Sequence, residues 1–559
     1  DGTTGRLFRE FSIVVSGSVI ISSFAALTFT PMLATKLLIK REQQSWFYRK
    51  TEPFFEGMNR VYSQSLAAFL KRRWIALPFT IVTILLIGVL WNTIPAEMAP
   101  LEDRSQISIN TMGAEGVTYE YIRDYTEDIN HLVDSIIPDA EAVTARVSSG
   151  SGNVRITLKD MKDRDYTQME VAEKLSKAVQ KKTMARSFVQ QSSSFGGRRG
   201  GMPVQYVLQA TNIEKLQEVL PKFMTKVYEN PVFQMADVNL KFSKPEARIN
   251  INRDKASIMG VSTKNIAQTL QYGLSGQRMG YFYMNGKQYE ILGEINRQQR
   301  NKPADLKGIY IRSSQGDMVQ LDNLIELTDG IAPPKLYRYN RFVSATISAG
   351  LADGKTIGQG LDEMDKIAKE TLDDTFRTAL TGDSKEYRES SSSLMFAFIL
   401  AILLIYLILA AQFESFKDPL IIMLTVPLAI AGALVFMYFG DITMNIFSQI
   451  GIIMLIGLVA KNGILIVEFA NQKQEAGEDK MQAIKDAALQ RLRPILMTSA
   501  STVLGLIPLA FATGEGCNQR IAMGTAVVGG MLVSTLLTMY IVPAIYSYVS
   551  TNRSKLKNE

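Results

Sequence analysis

The residue whose setting most demands chemistry is Lys461. It lies near the middle of GIIMLIGLVAKNGILIVEFA, residues 451–470. About 20 apolar residues at about 1.5 Å each span a hydrocarbon core of about 30 Å, so this run is long enough to cross a bilayer. A charge at that depth costs roughly 2.5–3.5 kcal/mol on insertion scales. A buried cation must be paired, neutralised or solvated. Glu468 shares its helical face but lies two turns away, too far for direct contact. The next apolar run opens ALQRLRPILMTSA and brings in Arg491, Arg493 and Thr498; Arg491 and Thr498 are seven apart and share a face. The interiors of the other apolar runs carry no acid, so the matching anions are expected in membrane helices absent from this sequence. An ammonium facing carboxylates is a proton-responsive device. Protonating the acid removes the anion that holds the amine, and helices can shift. The competing readings are that Lys461 snorkels to an interface or faces water alone, and that Arg491 is a plain positive-inside anchor.

Other chemistries find no residues. The chain has one cysteine, Cys517, and one histidine, His131, in the polar helical stretch IRDYTEDINHLVDSI. A zinc site of the common kinds cannot be built from them. No nucleophile–base pair or metal cluster appears. GGRRGG, within SSSFGGRRGG (192–201), lacks the strand–loop–helix frame and the lysine of a phosphate loop. It reads as a linker, or as a mobile basic loop. An enzyme is not expected, and neither is a cofactor or a metal. The net charge is +7, but the bases flank apolar runs and form no patch with interleaved aromatics, so nucleic acid is not an expected partner.

The elements that must position Lys461 are membrane spans. At 559 residues the chain is too long for one domain, and its apolar residues are clumped. Seven stretches qualify as spans: 12–38, 74–93, 394–411, 419–439, 448–470, 494–512 and 522–548. Between the first two lie Lys40, Arg41, Arg49, Lys50, Arg60, Lys71, Arg72 and Arg73, against Glu42, Glu52 and Glu56. The positive-inside rule puts this loop in the cytoplasm. Alternation then puts residues 94–393 outside and returns the basic segment after the fifth span, and the tail, to the cytoplasm. Residues 45–71 mix aromatics and bases at helical spacing and read as a helix on the inner surface, or else a plain loop. Asp1 opens a polar loop, DGTTGRLFRE, which reads as a fragment cut in a loop.

The outside region reads as an α+β assembly of repeated units. Strands at 105–113, AEAVTARVSS, NVRITLKD and RSFVQQS, with helices at 117–136 and 166–183, give the order βαββαβ. A second copy starts at MPVQYVLQA and resumes at VSATISAG. The insert between its halves contains a helix, 263–275, and a hairpin turned at Asn285-Gly286. The expected division is 1–93 for a loop, the first span, the surface helix and the second span; 94–200 for a first subdomain; 201–244 with 334–390 for a second; 245–333 for the insert; 391–550 for a five-span bundle; and 551–559 for a tail.

LVAKNGILIVEFA followed by RLRPILMTSASTVLGLIPLAFATGEG resembles the last third of resistance–nodulation–division (RND) efflux transporters, in their hydrophobe/amphiphile multidrug branch. TTGRLFREFSIVVSGSVIISSFAALTFTPMLATKLL, LILAAQFESFKDPLIIMLTVPLAIAGAL and LYRYNRFVSATISAGLADGKTIGQGLDEM resemble earlier parts of the same family, in order. The resemblance implies the C-terminal half of such a transporter, with family spans six to twelve. Its fold would be a polytopic α-helical membrane protein with two porter subdomains and half of a docking domain in the periplasm. Lys461, Arg491 and Thr498 match the family's proton-relay lysine, arginine and threonine; the relay aspartates belong to a span not present. The resemblance further implies a homotrimer in the bacterial inner membrane, a periplasmic adaptor, an outer-membrane channel and small amphiphilic substrates expelled by proton influx, with this piece inactive alone. Where well-known members carry a Phe- and Gly-rich loop, the chain reads RVSSGSGNVRITL (146–158), without aromatics. The alternatives are a non-pumping relative in export or sensing, and the heavy-metal branch, which usually lacks the LVAKN lysine and places methionines for the metal.

Overall fold

The computed structural model describes residues 2–37, 46–191, 202–333, 335–352 and 354–551. The FGGRRGG segment, Lys40, Arg41 and most of the basic tail lie outside them. Three helices open the chain: α1 (Gly2–Leu37), α2 (Trp46–Lys71) and α3 (Ala76–Thr93). There follow β1 (Gln106–Met112), α4 (Tyr119–Ile136), β2 (Ala142–Ser148), β3 (Ser151–Thr157), α5 (Gln168–Val179) and β4 (Arg186–Gln191). Their order is βαββαβ, and the strands form an antiparallel sheet, β2-β3-β1-β4. Alternation sends Ile107, Ile109, Val154 and Ile156 to one face, where they bury against Ile129 and Val133 of α4 and Val171 and Leu175 of α5. The polar residues of the same strands are left on the other face.

The second sheet begins with β5 (Val204–Ala210), α6 (Ile213–Glu229) and β6 (Phe233–Val238). The chain then leaves it for β7 (Lys244–Ile251), α7 (Arg253–Ile258), α8 (Thr263–Leu274), β8 (Gln277–Met284), β9 (Lys287–Gly293), β10 (Tyr310–Arg312), β11 (Met318–Gln320) and β12 (Ile325–Ala332). It returns with β13 (Arg338–Tyr339), β14 (Phe342–Leu351), α9 (Ile357–Thr371) and β15 (Arg377–Leu380). The strands run in the order β13-β14-β5-β15, with β6 also paired to β14. Residues Gly113–Tyr121 and Leu240–Tyr337 form a compact unit of their own. In it β7 pairs with β12 over a small core of Ala256, Val261, Ile266, Leu321 and Leu324. The β8–β9 hairpin turns at Asn285-Gly286, both with positive φ (+51° and +72°), the backbone that an Asn-Gly hairpin turn requires.

The other unit holds both sheets and the membrane-type helices. After β15 come α10 (Gly382–Phe413), α11 (Lys417–Met423), α12 (Thr425–Phe439), α13 (Ile446–Glu475), α14 (Lys480–Ala510) and α15 (Cys517–Val549). Among the described residues, seven helices are long and apolar enough to cross a membrane. The run expected as one span over 419–439 is one of these seven, Lys417–Phe439, with its helix interrupted at Leu424 between α11 and α12. Pro427 explains the break, because it cannot donate to the carbonyl four residues back. The run expected over 494–512 is the second half of one longer helix that begins at Lys480 with an Asp479 cap. Hydropathy marks only the apolar part of such a helix. α2 has a protein-facing side: Tyr62, Leu66 and Leu70 are buried against the bundle, and Tyr62 Oη donates to Met539 O at 2.6 Å.

The segment after α3 is stitched to the α12–α13 loop. Met444 N donates to Pro95 O at 2.8 Å, Glu97 N to Met444 O at 3.0 Å, and Thr443 Oγ1 to the Glu97 carboxyl. Burial pushes the Glu97 carboxyl above the ordinary glutamate range, and the Thr443 bond offsets this only in part. A carboxyl raised on folding stabilises fully below its unfolded pKa and loses that contribution as pH rises through its folded value. The loop is therefore expected to be tightest in acid. Thermal melts over about pH 4 to 8 should show the wild type losing stability, relative to Glu97→Gln, as pH rises.

Candidate functional site

Lys461 sits midway along α13 and is exposed on the surface of the described helices, as is Gly457 one turn earlier. Among the described residues it has no ion-pair or hydrogen-bond partner. Its neighbour Asn462 points the other way and is 1% exposed. Asn462 Nδ2 donates to Ser499 Oγ of α14 and to Thr535 Oγ1 of α15, both at 3.3 Å, and those two hydroxyls are 3.1 Å apart. This triad ties three helices together at one depth. It also sets Lys461 level with Thr498, the residue before Ser499. Thr498 Oγ1 turns back to donate to Ile495 O at 3.1 Å.

Arg491 lies one heptad along α14 from Thr498. Its guanidinium stacks 4.6 Å from the Phe469 ring centroid, and its Nε is buried without a hydrogen-bond partner among the described residues. Cation–π contact supplies part of what such a group needs, but an unmade bond on a buried donor stays costly. Arg493 differs. It pairs with Glu52 of α2 at 2.8 Å and lies over Phe55. The structure thus puts Lys461, Arg491 and Thr498 on two packed antiparallel helices and brings none of the three into polar contact with another.

A second polar group lies in the bundle, and the sequence reading passed over it. Asp418, at the start of α11, is 2% exposed. It accepts from Asn471 Nδ2 of α13 at 3.1 Å. Tyr546 Oη of α15 donates to Asn471 Oδ1 at 2.6 Å and accepts from Gln474 Nε2 at 2.6 Å. Tyr546 and Gln474 are fully buried. Tyr546→Phe removes a buried hydrogen-bond partner from both amides, so it is expected to cost about 1–3 kcal/mol, read as a lower melting temperature of the detergent-solubilised protein.

Between the two sheets lies a cavity of ≈ 450 Å³. One wall is the open face of the first sheet, where Arg146, Asn153, Asn110 and Phe188 stand in one register row across β2, β3, β1 and β4. Asn153 Nδ2 donates to Asn110 Oδ1, and Asn110 Nδ2 to Gln190 Oε1, both at 2.8 Å. Asp237, Asn239 and Ser348 come from the second sheet, and Met112 and Met202 complete the lining. It is a hydrogen-bonding pocket with a few apolar contacts.

The family model described as AcrB/AcrD/AcrF matches residues 1–550. The chain belongs to the AcrB/AcrD/AcrF family. It is also similar, at 31% identity over 565 residues, to an uncharacterized transporter of Haemophilus influenzae, with 99% of this chain and 55% of that protein covered. The chain therefore spans about half the length of the curated relative it matches. Within an AcrB/AcrD/AcrF protein, the apolar helices make the chain part of a multi-pass membrane protein with a large sheet-containing region. Asn462, Ser499, Thr535 and Asp418 escaped the sequence reading because neutral polar residues, or an acid at the very edge of an apolar run, barely change hydropathy. The available signal was a pair of small hydroxyl residues inside spans, a pattern typical of helix–helix contacts.

Proposed function

We propose that the chain forms the C-terminal half of the subunit of a proton-driven efflux transporter of the hydrophobe/amphiphile branch. The observation that carries this is Lys461: a mid-span ammonium, outward on α13, level with Thr498 and unpartnered among the described residues. In this reading Lys461, Arg491 and Thr498 meet carboxylates from helices of the other half. When those acids are ionised they hold the ammonium; when they take a proton the ion pair is lost and α13 and α14 are free to shift. Substrate binds far away, in the cavity between the sheets, so coupling is conformational. The cavity's amides, hydroxyls and Asp237 favour amphiphiles that carry hydrogen-bonding or cationic groups. The subunit sits in the inner membrane with the sheets in the periplasm. It assembles as a trimer and works with a periplasmic adaptor and an outer-membrane channel.

The test uses the full-length protein in proteoliposomes with ethidium as probe. An imposed pH gradient should drive ethidium movement, and nigericin should stop it. Pull-down should recover an adaptor and a channel. A non-pumping relative would show neither gradient-driven movement nor those partners.

A further inference from the structure

The last helix of the bundle begins without a cap of its own. Gly516 takes the N-cap position at φ +68° with no side chain to offer, and the first turn of α15 carries no acid. Its opening amides are met by a residue 416 positions earlier. Glu102 Oε1 accepts from Gln519 N at 2.8 Å and Oε2 from Asn518 N at 3.4 Å, while Asn518 Nδ2 donates to Leu101 O at 2.7 Å. Glu102 is 1% exposed, so water does not compete for its carboxylate. An anion at a helix N-terminus, bonded to backbone amides and shielded from water, is a strong contact.

Asp103 does the same for a second helix. Its Oδ2 accepts from Gln168 N, the first residue of α5, at 2.9 Å. Its Oδ1 holds the guanidinium of Arg164, whose side chain is fully buried and also donates to Lys159 O and Tyr166 O. Gln168 is itself buried, and its Oε1 accepts from Arg104 N and Gln106 N. Burial pushes the Asp103 carboxyl up, but bonds from Gln168, Arg164 and Ser105 outweigh it and hold the group below the usual carboxylate range.

Two adjacent carboxylates thus grip the N-termini of two helices that are remote in sequence, α15 in the bundle and α5 on the first sheet. α15 also carries Thr535, which reaches Asn462 and Ser499 beside Lys461 and Thr498. β1 starts four residues after Glu102 and carries Asn110 to the cavity wall. We infer that Glu102 and Asp103 are positioning residues that make the first sheet follow α15, so that a shift at the level of Lys461 reaches the cavity. This rests on the transport reading above. Its physical content is that α15 is remote in sequence from the first sheet, and that the buried Glu102 and Asp103 bonds join the two directly.

The experiment measures ethidium and proton flux together in proteoliposomes of the full-length protein. Glu102→Ala is expected to lower kcat about tenfold with KM nearly unchanged, because it touches neither substrate nor relay. Protons should keep entering, so that more are spent for each ethidium moved. Glu102→Gln keeps the shape and one acceptor oxygen and should fall between Ala and wild type; it carries the test if the Ala variant does not fold. Wild-type rates in both variants would overturn the inference. So would a fall in both fluxes at an unchanged proton-to-ethidium ratio, which marks a merely structural role. A wild-type protein that moves no ethidium removes the transport reading itself, a result distinct from a pumping wild type with an unaffected Glu102→Ala.

Discussion

Lys461→Ala in the full-length protein is expected to abolish gradient-driven ethidium movement while leaving expression and melting temperature at or above wild type. The two halves of this expectation have separate causes. Lys461 contributes no bond to the described bundle; the contact that ties α13 to α14 and α15 belongs to Asn462. Removing a mid-span ammonium also removes an insertion penalty of roughly 2.5–3.5 kcal/mol. Packing of the described helices should therefore survive. What is lost is the one cation at that depth on α13 able to sense whether a facing carboxylate is ionised. Lys461→Arg keeps the charge but replaces a compact ammonium by a planar fork, so it should retain only a small part of the activity. Retained transport in Lys461→Ala would sink the proton-relay assignment.

Gly524→Leu is expected to prevent the bundle from assembling, and Gly524→Ala to weaken it by about 1–3 kcal/mol, the usual cost of overpacking. A Cβ at Gly524 would stand 2.5 Å from Ala510 N and 2.8 Å from Ala510 Cα. Those are backbone atoms of α14, so no rotamer change relieves the clash. Small residues at membrane-helix crossings allow such close approach. Gly463 is the comparison: there the nearest atom is the Ile422 methyl Cγ2 at 3.2 Å, which can give way. Gly463→Ala should therefore cost much less. Size-exclusion profiles and thermal melts in detergent distinguish the three variants; a Gly524→Ala protein as stable as wild type would contradict the close crossing of α14 and α15.

Much of the fold was legible because periodicity is a local signal. Ile107 and Ile109 alternate with polar neighbours, and β1 follows. Asn285-Gly286 marked its hairpin. Apolar runs located the helices that can span a membrane, but not their ends: the polar halves of α13 and α14 are helical through caps and packing, which hydropathy does not see. Lys461 was legible because a charge near the middle of an apolar run of span length is conspicuous. The Asn462–Ser499–Thr535 triad was not, since it exists only once three helices meet. Glu102 was the least legible of all. It reads as an ordinary acid after a span, and only the fold brings it to the start of α15.

α10 runs unbroken for 32 residues, from the edge of the second sheet into the bundle. At about 1.5 Å per residue it is a rod about 48 Å long, so a tilt of about 5° swings one end through about 4 Å. Under the transport reading proposed above, α10 would act as a lever, turning a small tilt in the bundle into a larger displacement at the edge of the second sheet.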